Sequence, residues 1–276
     1  MASPDLIHAG PIGVFDSGVG GLTVAAEIRR RLPGESLLYF GDTARVPYGN
    51  KSPETVVRYS LEIGRFLAAQ GIRHLVVACN TSSSLALEAL AREMPVPVLG
   101  MIEPGARAAV AATRNGRVGL VGTRATVASG AYVRAIERLD PAVKVLSQAC
   151  PLFVPLVEEG WAGDPVAEEV AARYLAPLLD AGVDTIILGC THYPVLVPVL
   201  QKITGPGVRL LSSAQTAVDD LMAALAPEGG VKAGAAGSSR FFVTDAGTQF
   251  REIGSRILGE PIDELIPVEE ERLVIR

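Results

Sequence analysis

Two cysteines, Cys79 and Cys190, stand 111 positions apart (190 − 79) in matching surroundings. Residues 74–90 read HLVVACNTSSSLALEAL and residues 185–200 read TIILGCTHYPVLVPVL. Each is an apolar run, a small residue and a cysteine, followed at once by hydroxyl and amide side chains. The apolar run predicts a buried strand, and the polar residues predict the cap of a helix. The cap would be Asn80, Thr81 or Ser82 in the first stretch and Thr191 in the second, where Pro194 suits a first helical turn. A sulfur at the mouth of a helix feels unpaired backbone N–H groups and the positive end of the macrodipole, both of which favour the thiolate. One cysteine after a strand reads most simply as a packed core residue. A matched pair asks for a chemistry that uses two thiols.

The alternatives fail on count or spacing. Cys190 and His192 are near neighbours, but structural zinc wants four ligands in paired clusters, and His8 and His74 stand in other contexts. A thiol redox motif of the C-x-x-C kind is absent. Nucleophilic catalysis by Cys190 with His192 as base would leave Cys79 idle. Pyridoxal phosphate needs a lysine, and Lys51, Lys144, Lys202 and Lys232, the only four, lie in no loop with phosphate-binding glycines. Proton transfer at a stereocentre fits: one thiolate removes a proton, and a thiol on the opposite side returns one, with no cofactor. An ordinary cysteine is only a few per cent thiolate at neutral pH, so its surroundings matter.

The elements that must hold these groups follow an α/β pattern. Residues 12–15 (IGVF) predict a strand, and Asp16-Ser17-Gly18-Val19-Gly20-Gly21 turns into a helix over 22–32. A dinucleotide loop would need G-x-G-x-x-G, and the third position is Thr23. Residues 36–40 predict a second strand, followed by the polar stretch GDTARVPYG at the same end of the sheet, where ligands bind in such folds. A helix over 53–70, the Cys79 unit, a short strand over 96–100 and an alanine-rich helix follow. The pattern then restarts: residues 118–123 match residues 12–17 in shape at an offset of 106 (118 − 12), close to the cysteine offset. Two related halves are expected. In the second half, 143–146 predict a strand, residues 150–161 are broken by prolines, and a helix over 167–181 should be interrupted near Pro177. Cys150 lacks the strand-to-helix setting and reads as structural. Glu158 and Glu159 read as a solvated turn within reach of a site. Residues 208–211, 212–226, 241–244 and 248–258 predict strand, helix, strand and helix, with a flexible stretch over 228–239.

A chain of 276 residues, 49% hydrophobic and 20% charged, can bury one large core or two ordinary ones. The net charge of -5 argues against nucleic acid or an anionic membrane as the main partner. Arg29, Arg30 and Arg31 read as the last turn of a helix. Three cysteines are too few for a disulfide framework, no signal segment opens the sequence and no apolar run spans a bilayer, so a cytoplasmic protein is expected.

The runs VFDSGVGGLTV, YFGDTARVPYG, VVACNTSS, VGTRATV and LGCTHYP resemble those of the bacterial glutamate racemase family, within the cofactor-independent aspartate/glutamate racemases. The resemblance runs in order from about Ile12 to Leu258, and five motifs together are highly specific. It implies that Cys79 and Cys190 are the acid/base thiols, Cys79 acting on D-glutamate and Cys190 on L-glutamate. Asp16, Glu158 and His192 would support them. Asp16, Ser17, Tyr48, Gly49, Asn80, Thr81, Thr123, Thr191 and His192 would hold the substrate, whose negative charges call for local N–H and hydroxyl donors. It also implies two doubly wound α/β domains, mainly parallel and pseudo-twofold related. These would be residues 1–101 with 212–276, and residues 102–211, with the site in the cleft between them. No metal or cofactor, a homodimer and a role in supplying D-glutamate for peptidoglycan are further implications. The rivals are a racemase for another amino acid such as aspartate, a two-domain binding protein without catalysis, and a thiol hydrolase using Cys190 alone.

Overall fold

The computed structural model describes residues 10–228 and 236–273. Its frame is two parallel sheets. In the first, the strands are β1 (Ile12–Asp16), β2 (Leu37–Gly41), β3 (His74–Val77) and β4 (Val98–Leu99). Every residue of β1, β2 and β3 is buried, which explains why these stretches read as continuous apolar runs rather than as alternation. The second sheet contains β5 (Arg117–Gly122), β6 (Lys144–Ala149), β7 (Thr185–Gly189) and β8 (Arg209–Ser212). Two late strands, β9 (Ser239–Val243) and β10 (Ile266–Pro267), return to the first sheet, with β9 pairing in parallel with β2.

The strand orders are β10-β9-β2-β1-β3-β4 and β6-β5-β7-β8. The run β2-β1-β3-β4 in one sheet is repeated as β6-β5-β7-β8 in the other, which is the internal repeat expected from the sequence offsets. In each sheet the first strand of the unit lies between the second and the third, so connections leave it to both sides. Ligands of open α/β sheets sit at the carboxyl ends of the strands at that point. The ends concerned are those of β1 and β3 in one sheet, carrying Asp16 and Cys79, and of β5 and β7 in the other, carrying Thr123 and Cys190.

Helices cover both faces of each sheet. On the first sheet, Leu22–Arg31, Ser213–Leu225 and Thr248–Leu258 share a core with Ile12, Val14 and Tyr39. Pro53–Ala69 and Leu87–Glu93 pack on the other face around Phe15, Phe40 and Val77. On the second sheet, Pro165–Asp180 and Val197–Thr204 pack on one face, Ile102–Ala112 and Ala131–Leu139 on the other. Pro53–Ala69 illustrates the local logic. Ser52 accepts from the Thr55 N–H as N-cap, Pro53 opens the first turn, and Val56, Ser60, Ile63, Gly64 and Leu67 recur at helical spacing on the buried face. Each large apolar side chain buried this way contributes about 1.5–3 kcal/mol.

Two expectations change. The helix Pro165–Asp180 runs unbroken through Pro177, because the missing donor falls in its last turn, where one bond is all that is lost. The proline-rich stretch after β6 contains a short helix, Phe153–Glu158. Of the stretch expected to be flexible, residues 229–235 lie outside the described residues. Gly237 N–H donates to Pro33 O, and Ser238 O accepts from Leu37 N–H at the start of β2.

Candidate active site

The turn after β1 is built around the carboxylate of Asp16, which is completely buried. Gly18 N–H donates to its Oδ2 at 2.9 Å, the Gly21 N–H also bonds it, and the Thr191 hydroxyl reaches Oδ1 at 3.4 Å. Burial pushes Asp16 above the usual carboxylate range, while the His192 charge and these N–H and hydroxyl donors pull it back. The glycines of the turn are explained by proximity rather than by phosphate. A Cβ on Gly21 would lie 2.4 Å from Asp16 Cβ, and one on Gly20 would lie 2.3 Å from His192 Nδ1 and 2.5 Å from Thr191 Oγ1. Gly20 is thus the point where a turn of the first sheet touches the cysteine loop of the second. Thr23 lies on the same contact, its hydroxyl placed between Gly20 O at 2.9 Å and Thr191 O at 3.0 Å.

Cys79 follows β3 and is itself the N-cap of Asn80–Leu85: its Sγ accepts from Ser82 N–H at 3.5 Å. The cap is the sulfur and not Asn80, Thr81 or Ser82, because those residues already lie inside the first turn. The sulfur also donates to Ser17 Oγ at 3.6 Å. The expectation that the helix favours the thiolate is not met here. Burial, reinforced by the nearby Asp16 charge, pushes the Cys79 thiol up to about 11, outweighing the Ser82 and Ser17 bonds.

Cys190 follows β7, but no α-helix begins there. His192 precedes a 3-10 turn, Tyr193–Leu196, and the α-helix starts at Val197. Pro198 is the reason: in a helix begun at Cys190 it would lack the bonding N–H and clash with the carbonyl four residues earlier, so it occupies the first turn of a later helix instead. Pro194 does sit in the first turn of the 3-10 segment, while Thr191 caps nothing. The polar support of Cys190 is a side-chain relay. His192 Nδ1 lies 3.9 Å from Cys190 Sγ, and His192 Nε2 lies 3.0 Å from Glu158 Oε1 at the end of Phe153–Glu158. Burial alone would push His192 down, but its bonds to Cys190 and Glu158 prevail and raise it to about 10.

Both sulfurs line one cavity of about 220 Å³ between the sheets. It gathers Ser17, Tyr48, Gly49, Cys79, Asn80, Thr81, Thr123, Glu158, Cys190, Thr191 and His192. Asp16 alone of the predicted residues is not on its wall; it lies behind, bonded as described. Tyr48 spends its hydroxyl on Asp42, which together with Glu62 also holds Arg45, so the loop carrying Gly49 is anchored from below. Gly49 approaches Thr123 so closely that a Cβ would lie 2.9 Å from the Thr123 Cβ. Thr81, Thr123 and Thr126 form a hydroxyl cluster across the sheets, at 3.0 Å, 3.0 Å and 3.3 Å. The wall also contains residues that sequence reasoning missed: Val46, Pro47, Pro151, Val154 and Pro155, and one guanidinium, Arg124. Arg124 opens the helix Arg124–Ser129, where a cation opposes the macrodipole, and that misplacement was the available signal. Among the described residues no group of three or more His, Cys, Asp and Glu side chains could hold a metal ion.

Two parallel α/β sheets thus meet at a shared cleft, with one cysteine from each sheet on its wall. The model of the Asp/Glu/hydantoin racemase family matches residues 17–221, and the chain belongs to that family. It is 52% identical over 259 residues to the glutamate racemase of Geobacter metallireducens, covering 93% of this chain and 96% of that protein. Among solved structures it is similar to glutamate racemase RacE1 of Bacillus anthracis, at TM-score 0.91 and 40% identity, covering 95% and 98% of the two chains. The glutamate racemase of Francisella tularensis in complex with D-glutamate follows at TM-score 0.89 and 35% identity, with the same coverage.

Proposed function

We propose that this protein is a glutamate racemase that interconverts L- and D-glutamate by proton transfer between Cys79 and Cys190, without a cofactor, and so supplies D-glutamate for peptidoglycan. The observation that carries the reading is the pair of thiols, one from each sheet, on the wall of a single cavity. Relatives named glutamate racemase over nearly the whole chain, one of them in complex with D-glutamate, support glutamate as substrate.

In the L-to-D direction, the Cys190 thiolate takes the α-proton of L-glutamate, and the electron pair stays on the α-carbon and its carboxylate. Cys79 enters as the thiol, the form its surroundings favour, and delivers its proton to the opposite face. One turnover leaves the proton states of the two sulfurs exchanged, and the reverse reaction uses them the other way round. His192, charged and paired with Glu158, stands beside Cys190 as the donor that balances its charge, and Asp16 stands behind Cys79. Ser17, Asn80, Thr81, Thr123, Thr191 and the backbone at Gly49 supply donors for the two substrate carboxylates. Enclosure between the sheets removes water from around the developing carbanion, which strengthens those interactions.

Residues 1–101 with 212–276 would form one domain and 102–211 the other, and closure of the cleft between them would assemble the site. A cytoplasmic homodimer is part of the same reading; among the described residues no helix is long and apolar enough to cross a membrane. The test is a paired assay by circular dichroism. Purified protein given L- or D-glutamate should bring both to zero rotation, and L- or D-aspartate should be turned over far more slowly. Comparable rates with aspartate would remove the substrate assignment.

A further inference from the structure

Asn80 lines the cavity and also faces the interior, so its amide has to serve two directions. An amide offers two N–H donors and an acceptor oxygen. On the interior side both ends are taken. The Tyr132 hydroxyl donates to Asn80 Oδ1 at 2.7 Å, and Asn80 Nδ2 donates to Ser213 Oγ at 3.2 Å. Tyr132 comes from Ala131–Leu139 on the second sheet. Ser213 opens Ser213–Leu225, where the chain leaves β8 and crosses to the first sheet. The Tyr132 hydroxyl also lies 3.3 Å from Met101 O, just ahead of Ile102–Ala112, where the chain crosses in the other direction. A phenol has one proton, and the nearer acceptor, Asn80 Oδ1, takes it.

The ring is completely buried in a slot made by two glycines. A Cβ on Gly105 would lie 2.9 Å from Tyr132 Cε1, and one on Gly189, the residue before Cys190, would lie 3.4 Å from Cε2. Burial and then the negative potential of Cys190 push the phenol's ionisation upward, so the hydroxyl keeps its proton. A phenylalanine ring would fill this slot equally well. What the hydroxyl adds is an orientation: with Oδ1 tied to Tyr132 and one N–H to Ser213, the remaining Asn80 N–H is left for a ligand. A flipped amide would put its carbonyl in that place and repel a carboxylate.

We propose that Tyr132 is a positioning residue for the reaction: reaching across from the second sheet, its hydroxyl sets the direction of the Asn80 amide and so presents an N–H to a substrate carboxylate. The inference rests on the racemase reading above. The experiment is steady-state kinetics in both directions on the wild-type protein, Tyr132→Phe, Ser213→Ala and the double variant, with thermal melts alongside. Tyr132→Phe should raise KM for D- and L-glutamate about tenfold with kcat within about threefold and Tm lowered by only a few degrees, the size expected for one lost bond at a buried amide. Ser213→Ala should act in the same direction, and it carries the comparison alone if Tyr132→Phe does not fold. Because both hydroxyls hold one amide, the double variant should fall short of the product of the single effects. An unchanged KM, a fall in kcat with KM intact, or strictly multiplicative effects would overturn the proposal. A wild-type protein that does not turn over glutamate would remove the racemase reading and this inference with it; a wild type that racemises while the variants keep its KM removes this inference alone.

Discussion

The two sulfurs sit in unlike surroundings, and on the proposed two-thiol reading that difference separates their roles. Burial, and then the buried carboxylate of Asp16, push the Cys79 thiol up to about 11, whereas Cys190 faces an imidazole that its partners keep protonated to about 10. One side of the cavity is therefore prepared to give a proton and the other has a cation beside its sulfur. If each thiol is needed for every turnover, Cys79→Ala and Cys190→Ala should each lower racemisation by at least about 10²-fold in both directions, read by circular dichroism, the range expected for loss of a general acid or base. A thiol hydrolase working through Cys190 alone would instead leave Cys79→Ala active. The His192 charge also makes a prediction about stability. The folded value of about 10 exceeds the ordinary 6.5, so protonation favours the folded state. That contribution is complete below about 6.5 and is lost as pH rises through about 10. The Tm difference between wild type and His192→Asn should therefore be largest near pH 6 and vanish above about pH 10.

At the scale of elements, the site is made where turns of one sheet touch loops of the other. The turn between β1 and Leu22–Arg31 has no room for a side chain at Gly20, because His192 and Thr191 occupy that space. Gly20→Ala should displace the His192 ring and lower kcat/KM by about 10²-fold, the loss associated with a displacement of about 1 Å, while far-ultraviolet circular dichroism stays that of the wild type. A much smaller kinetic effect would show that catalysis does not depend on the position of the imidazole. The strands were legible because parallel strands buried on both faces are apolar throughout, as in IGVF, HLVV and TIILG. The two helix starts were legible only in part. Both cysteines were expected to precede a helix, yet only Cys79 does, since Pro198 delays the other. The glycine turn lacks the third glycine of a dinucleotide loop, and what its sequence does not express is the contact Gly20 makes 171 positions away (191 − 20). Tyr132 was silent for the same reason: nothing near it in the chain points to Asn80.

For the whole molecule, the repeated strand order places the corresponding strand ends of two sheets around one cavity, and the C-terminal strands β9 and β10 extend the first sheet without entering it. The chain carries a net charge of -5, so long-range attraction does not deliver an anion with two carboxylates to the site. Arg124 is the lone arginine or lysine on the cavity wall, and it is exposed with no carboxylate partner among the described ion pairs. Arg124→Ala should lower kcat/KM for glutamate about tenfold, mostly through KM, and the penalty should shrink as ionic strength rises, because added salt screens an exposed charge. An Arg124→Ala penalty that is independent of salt would count against this role.

The central claim is that two different groups, on opposite faces of one α-carbon, remove and return the proton. It is tested most directly by incubating L-glutamate with the purified protein in D₂O, without added cofactor, and following the α-proton of each enantiomer from the first turnovers. The account predicts that newly formed D-glutamate carries deuterium at the α-carbon from the outset while the remaining L-glutamate is still largely protiated. D-glutamate that retains the substrate's own proton would show a single group working on both faces and would contradict it.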